Sequence, residues 1–310
     1  MGNLDKLVII AGATATGKSN AAIQLAKLIN GEIISADSMQ IYRKMNIGTA
    51  KLTQEEMKGI PHHLIDELEP DEPYSVAQFQ KLAKERITQI HNRNHMPIIC
   101  GGTGFYINAL IFGATFDNTP KDDAYRGELS EIAQKQGAEA IFDMLLKIDP
   151  QTDVNPKNIK RVIRALEFYK QTGRRFSEHN EEMRHRPMIY DCKIVILEAE
   201  RGILYERINQ RVDEMINTGL VDEVRSLLDA GYSPKLISMQ GLGYKEIAAH
   251  FEGLCSLEDA VDAIKQGTRR FAKRQITWFR NQLENEDVFW LDIAQYASSQ
   301  DLANEIFCLL

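Results

Sequence analysis

The residues from Gly12 to Ser19 follow the pattern Gly-x-x-x-x-Gly-Lys-Ser, directly after an apolar run from Leu7 to Ala11. Glycines at both ends allow successive backbone N–H groups to point at one anion, and the next helix adds the positive end of its dipole. Lys18 would bind the terminal phosphate, and the Ser19 hydroxyl would ligate Mg²⁺. The pattern predicts a phosphate-binding loop, for a nucleoside triphosphate or a prenyl diphosphate, formed by Gly12, Ala13, Thr14, Ala15, Thr16, Gly17, Lys18 and Ser19.

A candidate general base follows the second apolar run, Glu32 to Ala36, which is typical of a buried strand. In open parallel sheets, ligands bind beyond the carboxyl ends of the strands, so we expect Asp37 to face the same crevice as the phosphate loop. An aspartate at the end of a strand also serves as an ordinary turn cap, and that alternative stays open at this point.

A glycine-rich turn, Gly101 to Gly104, follows a third predicted strand, Pro97 to Cys100. In many phosphate-loop hydrolases this strand ends in an aspartate that helps to hold Mg²⁺, whereas here the place is taken by Cys100 and Gly101. The missing carboxylate disfavours a motor protein or a switch GTPase and favours a transferase or a small-molecule kinase. Thr103 is a candidate hydrogen-bond donor to a phosphate oxygen, unless the turn serves packing alone.

The alternation of strands and helices stops between residues 118 and 186, where three helices are predicted: Ala124 to Gln136, Ala138 to Ile148 and Pro156 to Gln171, the last capped by Asn155. A helical block between two strands of a sheet indicates an inserted domain. We therefore predict an α/β fold, a P-loop NTPase-like parallel sheet flanked by helices with an inserted all-helical domain. The predicted boundaries are 1–117 and 190–310 for the two parts of the core and 118–189 for the insertion.

Two predicted helices carry unusual concentrations of basic residues. From Lys157 to Arg175 the only acidic residue is Glu167, and from Lys265 to Arg280 there are six basic residues and no acid. Surface cations are usually a solvated helix face, but the chain as a whole has a net charge of −7. The first segment is therefore a basic patch, and the second indicates binding to the phosphates of a nucleic acid.

Two arginines, Arg207 and Arg211, lie one turn apart on a predicted helix after the strand Cys192 to Leu197. A planar guanidinium matches phosphate oxygens, so an arginine at this point of a phosphate-loop fold can close over the phosphates. The alternative is i,i+4 pairing with neighbouring acids on an exposed helix. We favour a functional role for one of the two, with Arg211 ahead of Arg207.

The composition of the 310 residues restricts the class of protein. The four cysteines are scattered without paired spacing, which argues against a disulfide framework or a zinc site and favours a reducing compartment. No apolar stretch approaches the length of a membrane span, and residues 1–6 lack a basic and apolar leader. We expect a cytoplasmic protein with no membrane partner.

Several of these segments together closely resemble the bacterial tRNA dimethylallyltransferases, also called tRNA isopentenyltransferases. The resemblance runs from residue 8 to about residue 285 and rests on five motifs in order. The family loop usually has Pro where this chain has Ala13, and the segment before Gly243 also departs mildly from the family pattern. The motifs are Gly12 to Ser19, Asp37 to Arg43, Gly101 to Tyr106, Gly243 to Glu246 and Thr268 to Arg280.

The resemblance implies transfer of a dimethylallyl group from dimethylallyl diphosphate to N6 of the adenosine just 3′ of the anticodon in tRNA. It implies Asp37 as the base, Thr103 beside the breaking C–O bond, Arg211 on the diphosphate and Mg²⁺ on Ser19. It also implies that the anticodon stem-loop is bound from two sides by a protein that we expect to be a monomer. The implied tRNA-binding residues are Asp37, Ser38, Met39, Gln40, Thr103, Arg126, Lys160, Arg161, Val162, Ile163, Arg164, Arg269, Arg270, Lys273 and Arg274.

Three other functions stay open from the residues alone. A nucleotide or small-molecule kinase would share the loop, the arginine and the sheet. A prenyltransferase acting on free adenine nucleotides would also fit, but both alternatives leave the acid-free helix and the insertion without a role. A non-catalytic RNA-binding protein would need neither Lys18 nor Asp37.

Overall fold

The computed structural model describes residues 4–114, 122–184, 186–283 and 287–310. The chain divides into two compact units, one formed by Met1–Ile111 with Ile189–Leu310 and the other by Phe112–Met188. Residue 118, where we placed the start of the insertion, lies outside the described residues. No described helix combines the length and the apolar character that crossing a membrane requires.

The larger unit contains six strands and eight helices among the described residues. The strands are β1 (Lys6–Gly12), β2 (Gly31–Ser35), β3 (His62–His63), β4 (Met96–Gly101), β5 (Asp191–Glu198) and β6 (Val288–Asp292). The helices before the insertion are α1 (Lys18–Ile29), α2 (Val76–Asn92) and α3 (Gly104–Ile111). The helical unit contributes α4 (Asp123–Gln136), α5 (Ala138–Ile148), α6 (Ile159–Thr172) and α7 (Phe176–Arg184). The larger unit resumes with α8 (Arg201–Asn217), α9 (Leu220–Asp229), α10 (Tyr244–Phe251), α11 (Leu257–Gln282) and α12 (Ser299–Cys308).

All six strands form one parallel sheet in the order β3-β2-β4-β1-β5-β6. Strand β1 lies inside the sheet because its apolar side chains are covered on both faces, and residues 7–12 are all buried. The carboxyl ends of neighbouring strands meet, with Ala11 of β1 beside Gly101 of β4 and Gly12 beside Leu197 of β5. The predicted α/β fold with a P-loop-like parallel sheet is confirmed, and the turns after β1, β2 and β4 open at one edge.

A buried cluster fixes α1 against the sheet, and with it the phosphate loop that precedes this helix. The buried apolar residues of α1 pack on Val8 and Ile10 of β1, on Ile98 of β4 and on Val195 of β5. They are Ala21, Ala22, Ile23, Leu25 and Ala26. The same cluster includes Leu302, Ala303 and Ile306 of α12, so the last helix of the chain covers the outer side of α1. Burial of this size holds the start of α1 in a fixed place beneath the loop.

The helical unit has its own core, centred on Leu129 of α4, Ile141 and Leu145 of α5 and Val162 of α6. Helix α6 begins at Ile159, and Asn158 is its cap, because the Asn158 side chain accepts a hydrogen bond from the Arg161 N–H at 3.2 Å. Our prediction of Asn155 as the cap was wrong.

The earlier asparagine has a different role. The Asn155 side chain closes a separate turn by accepting a hydrogen bond from the Lys157 N–H at 2.9 Å. Helix α7 was not predicted, because only Phe176 and Met183 among its nine residues are large and apolar. The two-residue strand β3 was missed for the same lack of an apolar run.

Candidate active site

The phosphate loop connects β1 to α1 with the backbone that its glycines permit. Gly12 has a φ of 142°, and a Cβ atom there would clash with the carbonyl oxygen of Leu197 on the next strand. Gly17 has a φ of 79° and starts α1 in the left-handed region that favours glycine. Inside the loop, the Thr16 hydroxyl donates a hydrogen bond to the Ala13 carbonyl at 2.8 Å. Contacts within the protein therefore hold the loop in this folded conformation.

Lys18 is the cation of this loop, and its ammonium group donates a hydrogen bond to the Ala13 carbonyl. Burial is the main cause that lowers the pKa of Lys18 to about 8. The nearby Arg211 guanidinium acts in the same direction, while Cys100 and Asp37 act in the opposite direction. Burial also lowers the pKa of Arg211. Among the described residues neither cation forms an ion pair with a carboxylate, so both are available to an anion.

Arg211 extends from α8 to the phosphate loop, where its Nη1 donates a hydrogen bond to the Thr14 hydroxyl at 3.3 Å. Arg211 is partly buried, whereas Arg207, one turn earlier, is exposed. Ile208 and Leu204 of α8 are buried against Ala13 and Ala272, which fixes the helix beside the loop. Of the two arginines that the sequence offered, the structure places Arg211 at the loop.

Asp37 follows β2 and lies within electrostatic range of Lys18 and Arg211. Burial raises its pKa, while backbone N–H groups that include that of Met39, at 2.8 Å from Oδ1, partly oppose this effect. A carboxylate with a raised pKa is a stronger base than an exposed aspartate. The hydrogen bond from Met39 N–H also closes the turn, so Asp37 is a turn cap, and its role as a base stays a prediction.

The glycine-rich turn after β4 packs directly against the residues that lead to Asp37. The Thr103 N–H donates a hydrogen bond to the Ala36 carbonyl at 3.2 Å, and Ala36 N–H donates one to the Cys100 carbonyl at 2.8 Å. A Cβ atom on Gly101 would clash with the backbone of Ala36. Thr103 and Asp37 are therefore held at the ends of adjacent strands, and glycine at position 101 makes this close approach possible.

The three residues after Asp37 are partly buried and tied to their surroundings. The Ser35 hydroxyl donates a hydrogen bond to Gln40 Oε1 at 2.9 Å, and Gln40 Nε2 donates one to the Thr49 carbonyl at 3.2 Å. The side chain of Met39 packs against Gly241, where a Cβ atom would lie 2.6 Å from Met39 Cε. Gln40 therefore orders the turn, and Ser38 stays a candidate for reading a base edge.

Glu223 of α9 was missed in the sequence, although it anchors the loop that supports Gln40. Its carboxylate accepts hydrogen bonds from the backbone N–H groups of Asn46, Ile47 and Gly48 at 2.9, 2.8 and 3.1 Å. It also accepts one from the Tyr244 hydroxyl at 2.6 Å. The motif from Gly243 to Glu246 thus has a structural role, and no local pattern around Glu223 revealed its partners.

The basic residues of α11 divide into bound and available cations. Lys265 forms an ion pair with Asp213 at 2.6 Å, and Arg269 donates a hydrogen bond to Asn209 Oδ1 at 2.5 Å. Arg270, Lys273 and Arg274 are exposed and form no ion pair within the part of the chain that the structure describes. Together with Thr277 and Trp278 they line a groove on the surface of α11.

The candidate RNA-binding residues of the helical unit are not equivalent. Arg126 and Arg164 both bind Glu167, with Nη2 and Nη1 at 2.6 and 2.8 Å from Oε2. Lys160 and Arg161 are exposed, and the Arg161 guanidinium is 4.0 Å from Asp153 Oδ1.

A correction applies to two apolar residues of α6. Val162 is 0% exposed and Ile163 is 7% exposed. Our prediction of RNA contact was wrong for these two side chains, because they fill the core of the unit between α4, α5 and α6.

The residues at the phosphate loop suit Mg²⁺ held together with phosphate. No group of three or more His, Cys, Asp or Glu side chains in the described ranges could hold a metal ion by itself. Mg²⁺ commonly takes one or two protein ligands and completes its shell with water and substrate phosphates. The partly buried Ser19 at the start of α1 fits that arrangement, because two cations without carboxylate partners attract a phosphate to the same place.

Comparisons with known proteins show similarity along most of the chain. The family model described as IPP transferase matches residues 40–282. A tRNA dimethylallyltransferase of Lachnoclostridium phytofermentans is 50% identical over 309 residues, covering 99% of this chain and 98% of the relative. A protein of the same name from Geobacillus thermodenitrificans is 48% identical, covering 98% and 95%.

Two solved structures extend the comparison to the fold. The full-length tRNA isopentenylpyrophosphate transferase of Bacillus halodurans has 44% identity and a TM-score of 0.73, covering 98% of this chain and 96% of its own. A eukaryotic dimethylallyltransferase captured acting on tRNA has 29% identity and a TM-score of 0.81, covering 98% and 80%. The resemblance seen in the motifs is thereby confirmed, and the chain belongs to the IPP transferase family, that of the tRNA dimethylallyltransferases.

Proposed function

We propose that this chain transfers a dimethylallyl group from dimethylallyl diphosphate to N6 of the adenosine 3′-adjacent to the anticodon in tRNA. The observation that carries the proposal is the joint placement of Lys18, Arg211 and Asp37 in one crevice at the carboxyl edge of the sheet. Two cations without carboxylate partners suit a diphosphate leaving group, and a carboxylate with a raised pKa suits a base. A tRNA substrate also supports the expected cytoplasmic location, and we keep a monomer as the expected state.

The reaction divides into two events that this site can stabilise. A bond forms between N6 of the adenine and the allylic C1 of the donor, while the bond between C1 and the diphosphate oxygen breaks. The proton from N6 passes to the Asp37 carboxylate, and the diphosphate leaves with the bonding electrons. Charge therefore develops on the oxygen that departs, and preorganised donors around that oxygen are the largest expected source of catalysis.

The phosphate loop supplies those donors. Its backbone N–H groups, the Lys18 ammonium and the Arg211 guanidinium would neutralise the diphosphate as it leaves. Thr103 would donate a hydrogen bond near the breaking C–O bond, since its turn lies beside Ala36 and hence beside Asp37. Mg²⁺ on Ser19 would add Lewis-acid stabilisation of the phosphate oxygens when bound.

The RNA would bind through cations that form no ion pair inside the described part of the protein. Arg270, Lys273 and Arg274 on α11 and Lys160 on α6 are the strongest candidates, because they are exposed and form no ion pair with described residues. The target adenosine must leave its stack to reach Asp37. Ser38, Met39 and Gln40 directly follow Asp37 in the chain, so they are candidates for contacting the edge of the adenine. Arg126 and Arg164 contribute less, since Glu167 already binds both.

The test is mass spectrometry of an anticodon stem-loop incubated with the protein, Mg²⁺ and dimethylallyl diphosphate, with ATP as the control donor. We expect a mass gain of one dimethylallyl group on the target adenosine and none with ATP. Phosphate transfer from ATP without RNA would instead support a kinase, and modification of free AMP with no modification of RNA would support a nucleotide prenyltransferase.

A matched pair of variants tests the base. Asp37→Asn should lower the rate of transfer by about three orders of magnitude, because general-base catalysis is worth a factor of this size. Asp71→Asn, at an exposed aspartate outside the crevice, should transfer at the wild-type rate. An unchanged rate in Asp37→Asn would remove Asp37 from the base role.

A further inference from the structure

Gln275 of α11 connects this helix to both glycine-rich turns of the crevice. Its Oε1 accepts a hydrogen bond from the Thr14 N–H of the phosphate loop at 3.0 Å. Its Nε2 donates a hydrogen bond to the Gly102 carbonyl at 2.9 Å. The side chain is buried, with 7% of the residue exposed, although four exposed basic residues lie within five positions of it.

The chemistry of the two bonds restricts which side chain can serve here. One partner is a backbone donor and the other is a backbone acceptor, and the glutamine amide offers one acceptor and two donors. A carboxylate would meet the Gly102 carbonyl with a second acceptor, and an apolar side chain would leave both backbone groups without this partner. Unsatisfied buried polar groups are costly, so an amide of this length is the side chain that fits both.

The packing around Gln275 leaves little freedom to the two turns. A Cβ atom on Gly102 would clash with Gln275 Nε2, and one on Gly104 would clash with the ring of Trp278, one turn further along α11. Thr14 is held twice, by Gln275 at its N–H and by Arg211 at its hydroxyl. The inner face of α11 thus sits directly on the loop that would bind the donor and on the turn that carries Thr103.

The outer face of the same helical segment carries the available cations. Arg270, Lys273 and Arg274 are exposed within five residues of Gln275. Trp278 contacts both sides of the helix. It packs on Gly104 on the inner face, and it lines the surface groove together with these cations on the outer face. A phosphate backbone held on the outer face is therefore attached, through one rigid helix, to both turns of the crevice.

We infer that Gln275 is a positioning residue for the transfer reaction, which fixes the phosphate loop and the Thr103 turn in register with the RNA-facing helix. This inference rests on the proposed function. Gln275 acts through Thr14 and through the Gly102 carbonyl and touches neither reacting atom. Its contribution is to keep the leaving group and the threonine at a fixed distance from the RNA that α11 binds.

The test uses Gln275→Met, which keeps the length and volume of the side chain and removes both hydrogen bonds. Gln266→Met is the matched control, at an exposed glutamine of the same helix. We expect kcat at saturating donor and RNA to fall about a hundredfold in Gln275→Met, since small misplacements of reacting groups have effects of this order. The Kd for the stem-loop should stay within about twofold, because the cations of α11 are retained.

Amide hydrogen exchange without substrates gives a second measurement. Residues 12–17 and 101–104 should exchange faster in Gln275→Met than in the wild type, while the control variant exchanges as the wild type does. Gln275→Asn keeps the amide but is one methylene too short to reach both partners, so we expect a kcat between those of the wild type and Gln275→Met.

Two outcomes would overturn the inference. One is a wild-type kcat in Gln275→Met, and the other is a loss of stem-loop affinity equal to the loss of kcat, as unfolding would give. If the wild-type protein itself modifies no stem-loop, the proposed function fails, whereas the exchange measurement still shows whether Gln275 holds the two turns.

Discussion

The basic helices α6 and α11 look alike in sequence and differ in what the structure does with their charges. In α6 and its flanks, Glu167 binds Arg164 and also Arg126 of α4, and Lys170 forms an ion pair with Asp122 at 2.9 Å. In α11, Arg270, Lys273 and Arg274 on the outer face stay exposed and without an ion pair to any described residue. A count of cations therefore overstates the phosphate-binding capacity of both helices. The overstatement is larger for α6, because α11 keeps a group of three exposed cations after Lys265, Arg269 and Arg280 are taken up by Asp213, Asn209 and Glu198.

The reason is the burial of one carboxylate. Glu167 is 0% exposed, and it accepts hydrogen bonds from both arginines and from the Asp122 N–H at 3.0 Å. A buried carboxylate is tolerated only where charged or polar partners surround it. Arg126 of α4 and Arg164 of α6 thus mainly stabilise the helical unit. The difference between these bound arginines and the exposed cations of α11 can be tested.

The largest expected effect is on the stability of the helical unit. Glu167→Gln leaves two arginines without their shared carboxylate, and breaking a buried pair of this kind costs about 3 kcal/mol. Hydrogen exchange in residues 159–172 of the full chain should rise accordingly. Glu131→Gln, at an exposed pair with Lys135, is the control and should change the unfolding free energy by less than about 0.5 kcal/mol. Wild-type exchange in Glu167→Gln would mean that the two helices do not differ as described.

The same ion pairs predict a pH dependence. Burial by itself raises the pKa of Glu167, but hydrogen bonds from Arg126, Arg164 and Asp122 outweigh it and lower the pKa from 4.5 to about 2. A carboxylate with a depressed pKa contributes its stability above the ordinary value and loses it as the pH falls toward the folded value. The difference in exchange between the wild type and Glu167→Gln should therefore shrink as the pH falls from about 5 to about 2.

A second buried carboxylate does not confuse this measurement. Glu32 accepts hydrogen bonds from Arg93, His63 and His95, and mainly through Arg93 its pKa is also lowered to about 2. It is present in both proteins, so its titration cancels in the difference. A difference that stays constant down to pH 2 would show that Glu167 gains nothing from its charge.

The cations of α11 should dominate the dependence of RNA binding on salt. Substitution of Arg270, Lys273 and Arg274 by alanine removes three phosphate contacts, so the slope of log Kd against log salt should decrease by about 2. At about 0.1 M salt this corresponds to roughly a hundredfold weaker binding. Filter binding of the stem-loop over a series of salt concentrations measures this slope. An unchanged slope would place the RNA away from the outer face of α11.

The smallest expected effect sharpens the comparison within α6. Lys160→Ala removes one exposed cation that forms no ion pair with described residues. The slope of log Kd against log salt should therefore decrease by somewhat less than 1, which corresponds to about fivefold weaker binding at about 0.1 M salt. Arg126→Ala removes a cation that Glu167 already binds, and its slope should stay near that of the wild type. Equal slopes in the two variants would contradict the division into bound and available cations.

Much of the crevice could be predicted from local patterns. A window of about ten residues was enough to predict each of three features. These are the strand, loop and helix around Lys18, the strand that ends at Asp37 and the glycine-rich turn at Thr103. Gln275 and Glu223 could not be found this way. The backbone partners of Gln275 are 261 and 173 residues away in the chain, and those of Glu223 are 175–177 residues away. No spacing rule connects a helix face to a backbone group at that separation.

The sequence by itself determined the elements that bear chemistry, because a phosphate loop and a buried strand depend on residues that are neighbours in the chain. Only the tertiary structure decided which charges are available and which side chains hold the crevice together. Arg126 and Arg164 are bound because a buried carboxylate, that of Glu167, lies beside them. Gln275 is bound because its helix packs against two turns of the crevice. These contacts cannot be predicted from local patterns, because they form between segments that meet only in the folded chain.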